Sequence, residues 1–134
     1  MMAVIIFGVS LLTLLQFFVS YSRSLIASSR EFNLSAEALE ICGFNSRTAT
    51  GEHFGRLLQL ISLCPEPGGD SAEVQVVALY FRLLGVACSL LSWAVPSVAP
   101  WIEAERGGCS YAAAVLLDRR IAYGRMMMAQ QTSR

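Results

Sequence analysis

The chain has 134 residues, with ten basic and ten acidic side chains, one histidine, four cysteines and 54 % hydrophobic residues. Charged residues make up only 15 %, against about 25 % in an average soluble domain. That shortage excludes an acidic solvating protein, a basic nucleic-acid tail and a disordered linker, and the length suits one domain rather than two. All ten basic residues are arginines. A GC-rich coding sequence accounts for this first, and a use of weakly hydrated planar cations second.

Residues 1–22 carry no charged side chain. Val4, Ile5, Ile6, Phe7, Val9, Leu11, Leu12, Leu14, Leu15, Phe17, Phe18 and Val19 make this stretch strongly apolar. A helix needs about 20 such positions to cross a hydrocarbon layer about 30 Å thick. Each strongly apolar residue favours insertion by about 0.3 to 0.6 kcal/mol, enough to outweigh Ser10, Thr13 and Gln16. A transmembrane helix is expected. A signal peptide cleaved near Ser20 or Ser22 is the competing reading, but the apolar core exceeds about 15 residues and no positive side chain precedes it.

Arg23 and Arg30 follow the apolar stretch at once. The positive-inside rule therefore expects the N-terminus outside and the rest in the cytoplasm, as in a single-pass protein of a cell membrane of the bacterial inner-membrane kind. A second uncharged run, residues 83–102, lies between Arg82 and Glu103. A span there divides the arginines five to five and removes the orientation signal, and it places Pro96 and Pro100 inside the helix. One span is preferred over a two-span hairpin. Within the first stretch, Thr13, Gln16 and Ser20 recur at steps of 3 and 4. They are candidates for packing on another membrane helix, where an interhelical hydrogen bond is worth about 0.6–2 kcal/mol. Bonding back to their own helix is an equally good reading.

The helix is expected to run on through Leu25 and Ile26 and to stop before Asn33. Ser35 suits the N-cap of a short helix over residues 36–42 that Gly43 ends. Thr50 suits the cap of a second helix carrying Phe54, Leu57, Leu58, Ile61 and Leu63. Pro65, Glu66, Pro67, Gly68 and Gly69 form a break. Asp70, with Glu73 three residues on, reads as a capping box opening a long helix over residues 71–95.

Along that helix Gln75, Ala78, Arg82, Gly85, Ser89 and Ser92 recur at steps of 3 and 4. They form a narrow stripe on an apolar cylinder, so the helix is expected to be buried around most of its circumference. One reading makes it the central helix of a small bundle, its stripe facing water. The other makes it a membrane helix whose stripe of Gln75, Arg82, Gly85 and Ser89 meets a partner. Pro100 suits the start of a short helix ending near Gly107 and Gly108. Ser110 suits the cap of a last helix to about Met128, with Val115, Leu116, Ile121, Ala122 and Met126 toward the core. Asp118, Arg119, Arg120 and Arg125 mark its wetter side. That helix is expected to pack on the bundle. A partner-docking tail or a segment lying on an anionic membrane are its weaker readings. No alternating pattern and no internal repeat appears, and the class is all-α: an anchor over 1–31 and a compact domain of four or five helices over 32–134.

Chemistry is harder to find. Cys42, Cys64, Cys88 and Cys109 lie 22, 24 and 21 residues apart, with no closely spaced pair for zinc or an iron–sulfur cluster. Four scattered thiols read as small core residues. A Cys64–Cys109 disulfide enters only if the topology is inverted. His53, in the first turn of a helix beside Glu52, reads as a solvated residue, with haem ligation or base catalysis as the sharper alternative. Glu37, Glu40, Glu103 and Glu105 also read as solvated. No G-x-S-x-G, H-E-x-x-H or P-loop is present. The two helices around Gly43, with Arg47 and Arg56, have the lengths of a helix-turn-helix, but Glu31, Glu37, Glu40 and Glu52 deny them a basic footprint.

The expected function is that of a non-catalytic accessory, scaffold or assembly subunit of a membrane complex. It would bind no cofactor, metal or nucleic acid, and would partner the bilayer and other membrane subunits or copies of itself. A membrane-attached cofactor or redox subunit using His53 or the thiols comes second, and a membrane-tethered DNA binder third.

Overall fold

The computed structural model describes residues 1–31 and 51–133. The expected helix over residues 36–42, its Ser35 and Gly43 ends, the Thr50 cap, Cys42, Glu37, Glu40 and the turn of the helix-turn-helix lie outside the described residues. Among the described residues four α-helices follow in chain order: α1, Met2–Arg30; α2, Gly51–Leu63; α3, Asp70–Ala94; and α4, Ala99–Thr132. A 3₁₀ turn, Pro96–Val98, joins the last two. Every regular element among the described residues is helical.

The longest helix, α4, is the spine, and each of the other three packs on it. Side-chain contacts give the directions. Arg23 meets Glu105 at 3.2 Å, and Ile26 and Arg30 crowd Gly108, so α1 runs parallel to α4. On another side, Gly51 sits by Arg106 and the Ile61 carbonyl by Arg120, so α2 is parallel as well. Tyr80 reaches Glu105 while Glu73 reaches Arg119, which makes α3 antiparallel. The shared core holds Ile26 of α1, Phe54, Leu57 and Ile61 of α2, Val77, Tyr80, Phe81 and Leu84 of α3, and Ile102, Cys109, Ala112, Ala113, Leu116 and Leu117 of α4. Phe54 and Phe81 stack at 3.9 Å between centroids, and the Arg106 guanidinium lies 4.6 Å from the Phe81 centroid, adding a cation–π contact to apolar burial.

The reversal between α2 and α3 follows the Pro-Gly expectation, but Asp70 does not cap. Gly69 holds the N-cap position at φ 115°, a left-handed conformation that suits glycine, and the Asp70 amide donates to the Pro67 carbonyl at 3.3 Å. Asp70 thus stands inside the first turn, where its carboxylate, with Glu73, favours the helix dipole without bonding a free amide. Its Oδ2 is buried with no hydrogen-bond partner.

Gly107, Gly108 and Ser110 do not divide the C-terminal region. The chain passes through them in one helix, and the Ser110 hydroxyl donates to the Arg106 carbonyl at 3.3 Å instead of capping. The glycine has another use. A Cβ on Gly108 would sit 2.9 Å from Ile26 Cγ2 and 3.3 Å from Arg30, whereas one on Gly107 would meet nothing within 4 Å. Gly108 lets α1 approach the spine. Cys109 is therefore a fully buried mid-helix residue, and burial pushes its thiol up to about 12.

Other expectations for α4 divide. Val115 and Leu116 are buried as expected, while Met126 and Ala122 are exposed. Arg120, expected on the wet side, is only 5 % exposed. It donates to the Ile61 carbonyl at 2.9 Å and to Glu66 at 3.3 Å, satisfying the C-terminal end of α2. Glu105 is mostly buried too, between Arg23 and the Tyr80 hydroxyl, which donates to it at 3.5 Å.

Candidate functional site

Among the described residues two helices are long and apolar enough to cross a membrane by length and composition: Met2–Arg30, with mean hydropathy 2.4, and Asp70–Leu91, with 1.9. The uncharged run over 83–102 is not a third. Val95, placed before Pro96, takes φ −141° and ψ 86°, so the run divides into the end of α3, the 3₁₀ turn and the start of α4. A residue before proline is pushed out of the helical region, which is the local cause of the break.

The two halves of α1 have opposite surroundings. Over residues 18–30 one face, with Phe18, Ser22, Ile26 and Ser29, packs on the bundle. The buried Ser22 and Ser29 hydroxyls donate to the carbonyls of Phe18 and Ile26, so these small side chains allow close approach without orphaned polar atoms. Over residues 2–17 almost every side chain stands exposed, Val4, Ile5, Ile6, Phe7, Leu11, Leu12, Leu14 and Leu15 among them. That half projects past the level where Phe18 meets the Tyr80 ring at 6.3 Å.

Because α3 is antiparallel to α1, its C-terminal half points the same way. Opposite its core face, Leu79, Leu83, Val86, Leu90 and Trp93 recur at steps of 4, 3, 4 and 3, all exposed, with Trp93 at 92 % and Leu90 at 68 %. This corrects the expectation that α3 is buried around most of its circumference. The spine is α4, and the outward side of α3 is an apolar face. The same periodicity that picks out the polar stripe would have found this one. Trp101, at the start of α4, is exposed on the same end, with Arg23 stacked 5.9 Å from its ring. The uncharged runs 1–22 and 83–102 therefore meet at one pole, bounded by Arg23, Arg82, Glu103 and Glu105.

The candidate packing residues fall on two surfaces. Thr13, Gln16 and Ser20 are exposed, and at roughly 100° per residue they lie on the side of α1 opposite Ser22, Ile26 and Ser29. The Thr13 hydroxyl also donates to the Val9 carbonyl at 2.8 Å. On α3, Gln75, Arg82 and Ser89 are exposed and Gly85 is half-buried, along the flank between the core and the outward apolar face. The Ser89 hydroxyl donates to the Gly85 carbonyl at 3.1 Å. No described contact joins the α1 group to the α3 group.

Sites for chemistry are sparse. A cleft of about 90 Å³ lies among Leu25, Ser29, Glu73, Val77, Ala112 and Arg119, below the roughly 300–1,000 Å³ of small-molecule sites. Among the described residues no three His, Cys, Asp or Glu side chains are grouped to hold a metal ion. His53 is exposed on α2, and Cys64, Cys88 and Cys109 carry free thiols. No family model, curated protein or solved structure matches the chain.

Proposed function

We propose that the chain is a non-catalytic, single-pass membrane protein that serves as an accessory, scaffold or assembly subunit of a membrane complex. One observation carries the reading: α1 uses one face for its own bundle and leaves Thr13, Gln16 and Ser20 on the opposite side of a bare apolar helix. In hydrocarbon a bare polar side chain such as that of Gln16 favours a partner helix, since the apolar effect gives no drive to associate there. All ten arginines follow the uncharged stretch 1–22 in sequence, which supports an outside N-terminus and a cytoplasmic bundle.

The test is the mass of the particle extracted from its native membrane in mild detergent, measured for the natural chain and for Gln16→Leu. A particle heavier than one chain, with a mass that no whole number of 14.6 kDa copies accounts for, reduced by Gln16→Leu, is expected. A particle of one chain, unchanged by the substitution, would overturn the reading.

A further inference from the structure

The membrane reading assigns α1 to the bilayer and leaves the outward face of α3 without a covering. We propose that residues 83–102 form a re-entrant corner, inserted beside α1 into the leaflet next to the bundle, with acyl chains on Leu83, Val86, Leu90 and Trp93. The proposal rests on the membrane reading of α1 and adds a second, shallower point of entry.

Length separates the two. From Met2 to Ser22, α1 rises about 30 Å at 1.5 Å per residue, a full hydrocarbon thickness. From Arg82 to Ala94, α3 rises about 18 Å, a little over half of that thickness. The chain then turns back, so the corner enters and leaves on one side. Below Arg82 the same helix is tied into the bundle through Tyr80, Val77 and Glu73, so the rest of Asp70–Leu91 is not free to span.

In hydrocarbon an unbonded amide costs several kcal/mol, and most amides of the turn are bonded or missing. Val95 donates its amide to Leu91, Val98 to Val95 and Ala99 to Pro96. Pro96 and Pro100 have no amide to bond. The lower boundary suits headgroups: Arg82 is exposed and Arg23 is half-exposed, and because the helices are antiparallel Arg23 closes the uncharged stretch of α1 at the level where Arg82 opens that of α3. The exposed apolar face is continuous with this boundary and ends in Trp93, which stands on the side away from the core.

Trp93 and Trp101 are the only tryptophans in the chain, so emission reports the corner directly. The full chain is reconstituted in phosphatidylcholine vesicles brominated either near the headgroup or deep in the acyl chain, as Trp101→Phe and as Trp93→Phe. Co-flotation with the vesicles is recorded first. Trp93 is expected to lose most of its emission to deep bromines and to resist aqueous acrylamide, and Trp101 to respond more to shallow bromines. If the protein floats but acrylamide quenches Trp93 and bromines do not, the corner lies in water and the proposal falls while the α1 span stands. If the protein floats and neither quencher reaches Trp93, a second copy or another protein covers the face, and the proposal falls. If the protein does not float, the membrane reading fails and the corner with it.

Discussion

The two ends of this molecule are held by different means. At one pole, Arg120 reaches the Ile61 carbonyl and Glu66, and Arg119 pairs with Glu73 at 3.8 Å. At the other, the first half of α1 and the outer face of α3 present apolar side chains with no described cover. The same helices serve both ends. Order within the bundle comes from close packing and a few placed polar bonds, whereas the bare pole is defined by an absence of charge over two separate stretches of sequence. One end is specified residue by residue, the other by composition.

A charge placed at each pole breaks that comparison most sharply. Leu12→Arg is expected to cost about 2.5–3.5 kcal/mol of membrane insertion and to shift the protein out of the membrane fraction. Ala122→Arg, at an exposed site on α4, should change stability by no more than about 0.5 kcal/mol. Recovery in membranes and denaturant unfolding check the two arms.

Arginines within the bundle give the next effect. Arg120→Ala removes a buried donor from the end of α2 and its packing, with an expected loss of about 2–4 kcal/mol in urea unfolding. Arg119→Ala, at an exposed pair with Glu73, should lose less than about 1 kcal/mol. Equal losses would show that burial does not separate these neighbours.

The adjacent glycines sharpen the contrast inside one helix. Gly108→Leu drives a side chain into Ile26 and is expected to cost about 1–3 kcal/mol or more. Gly107→Ala meets no atom within 4 Å and should gain up to about 1 kcal/mol from helix propensity. Thermal unfolding in one detergent distinguishes the signs.

The last effect is confined to alkaline pH. Burial raises the Cys109 thiol from its ordinary 9 to about 12, with Glu105 adding to the rise. The folded state thus holds its proton more tightly than the unfolded chain. The resulting stability is full below pH 9 and is lost as pH rises from 9 toward 12. Cys109→Ala should flatten that part of a stability-against-pH curve. An unchanged slope would show that Cys109 does not contribute it.

Much of this fold is legible locally. Pro65 to Gly69 mark the reversal, the 3- and 4-residue steps from Phe54 to Ile61 mark α2, and the uncharged stretches mark the bare pole. The misread features share one cause: their partners are far off in sequence. Gly108 looks like a stop until Ile26 is seen against it, and Arg120 looks solvated until the Ile61 carbonyl is found. Glu105 looks solvated until Arg23 and Tyr80 flank it. The outer face of α3 was open to the same stepwise reading that finds Gln75, Arg82 and Ser89. Its exposure depends on α4 being the spine, which follows from Gly107 and Gly108 permitting one unbroken helix.

An unbroken α4 also sets a distance. Taking the bilayer surface at the level of Ile102, the helix rises about 36 Å before it reaches Met126, at 1.5 Å per residue. On the proposed membrane placement, with α4 upright, a stalk of that length would hold Met126, Met127 and Met128 far above the lipid, so this exposed tip would be too remote to lie on the headgroups beneath the proposed anchor. Whatever meets it must itself stand that tall, or arrive from the aqueous side.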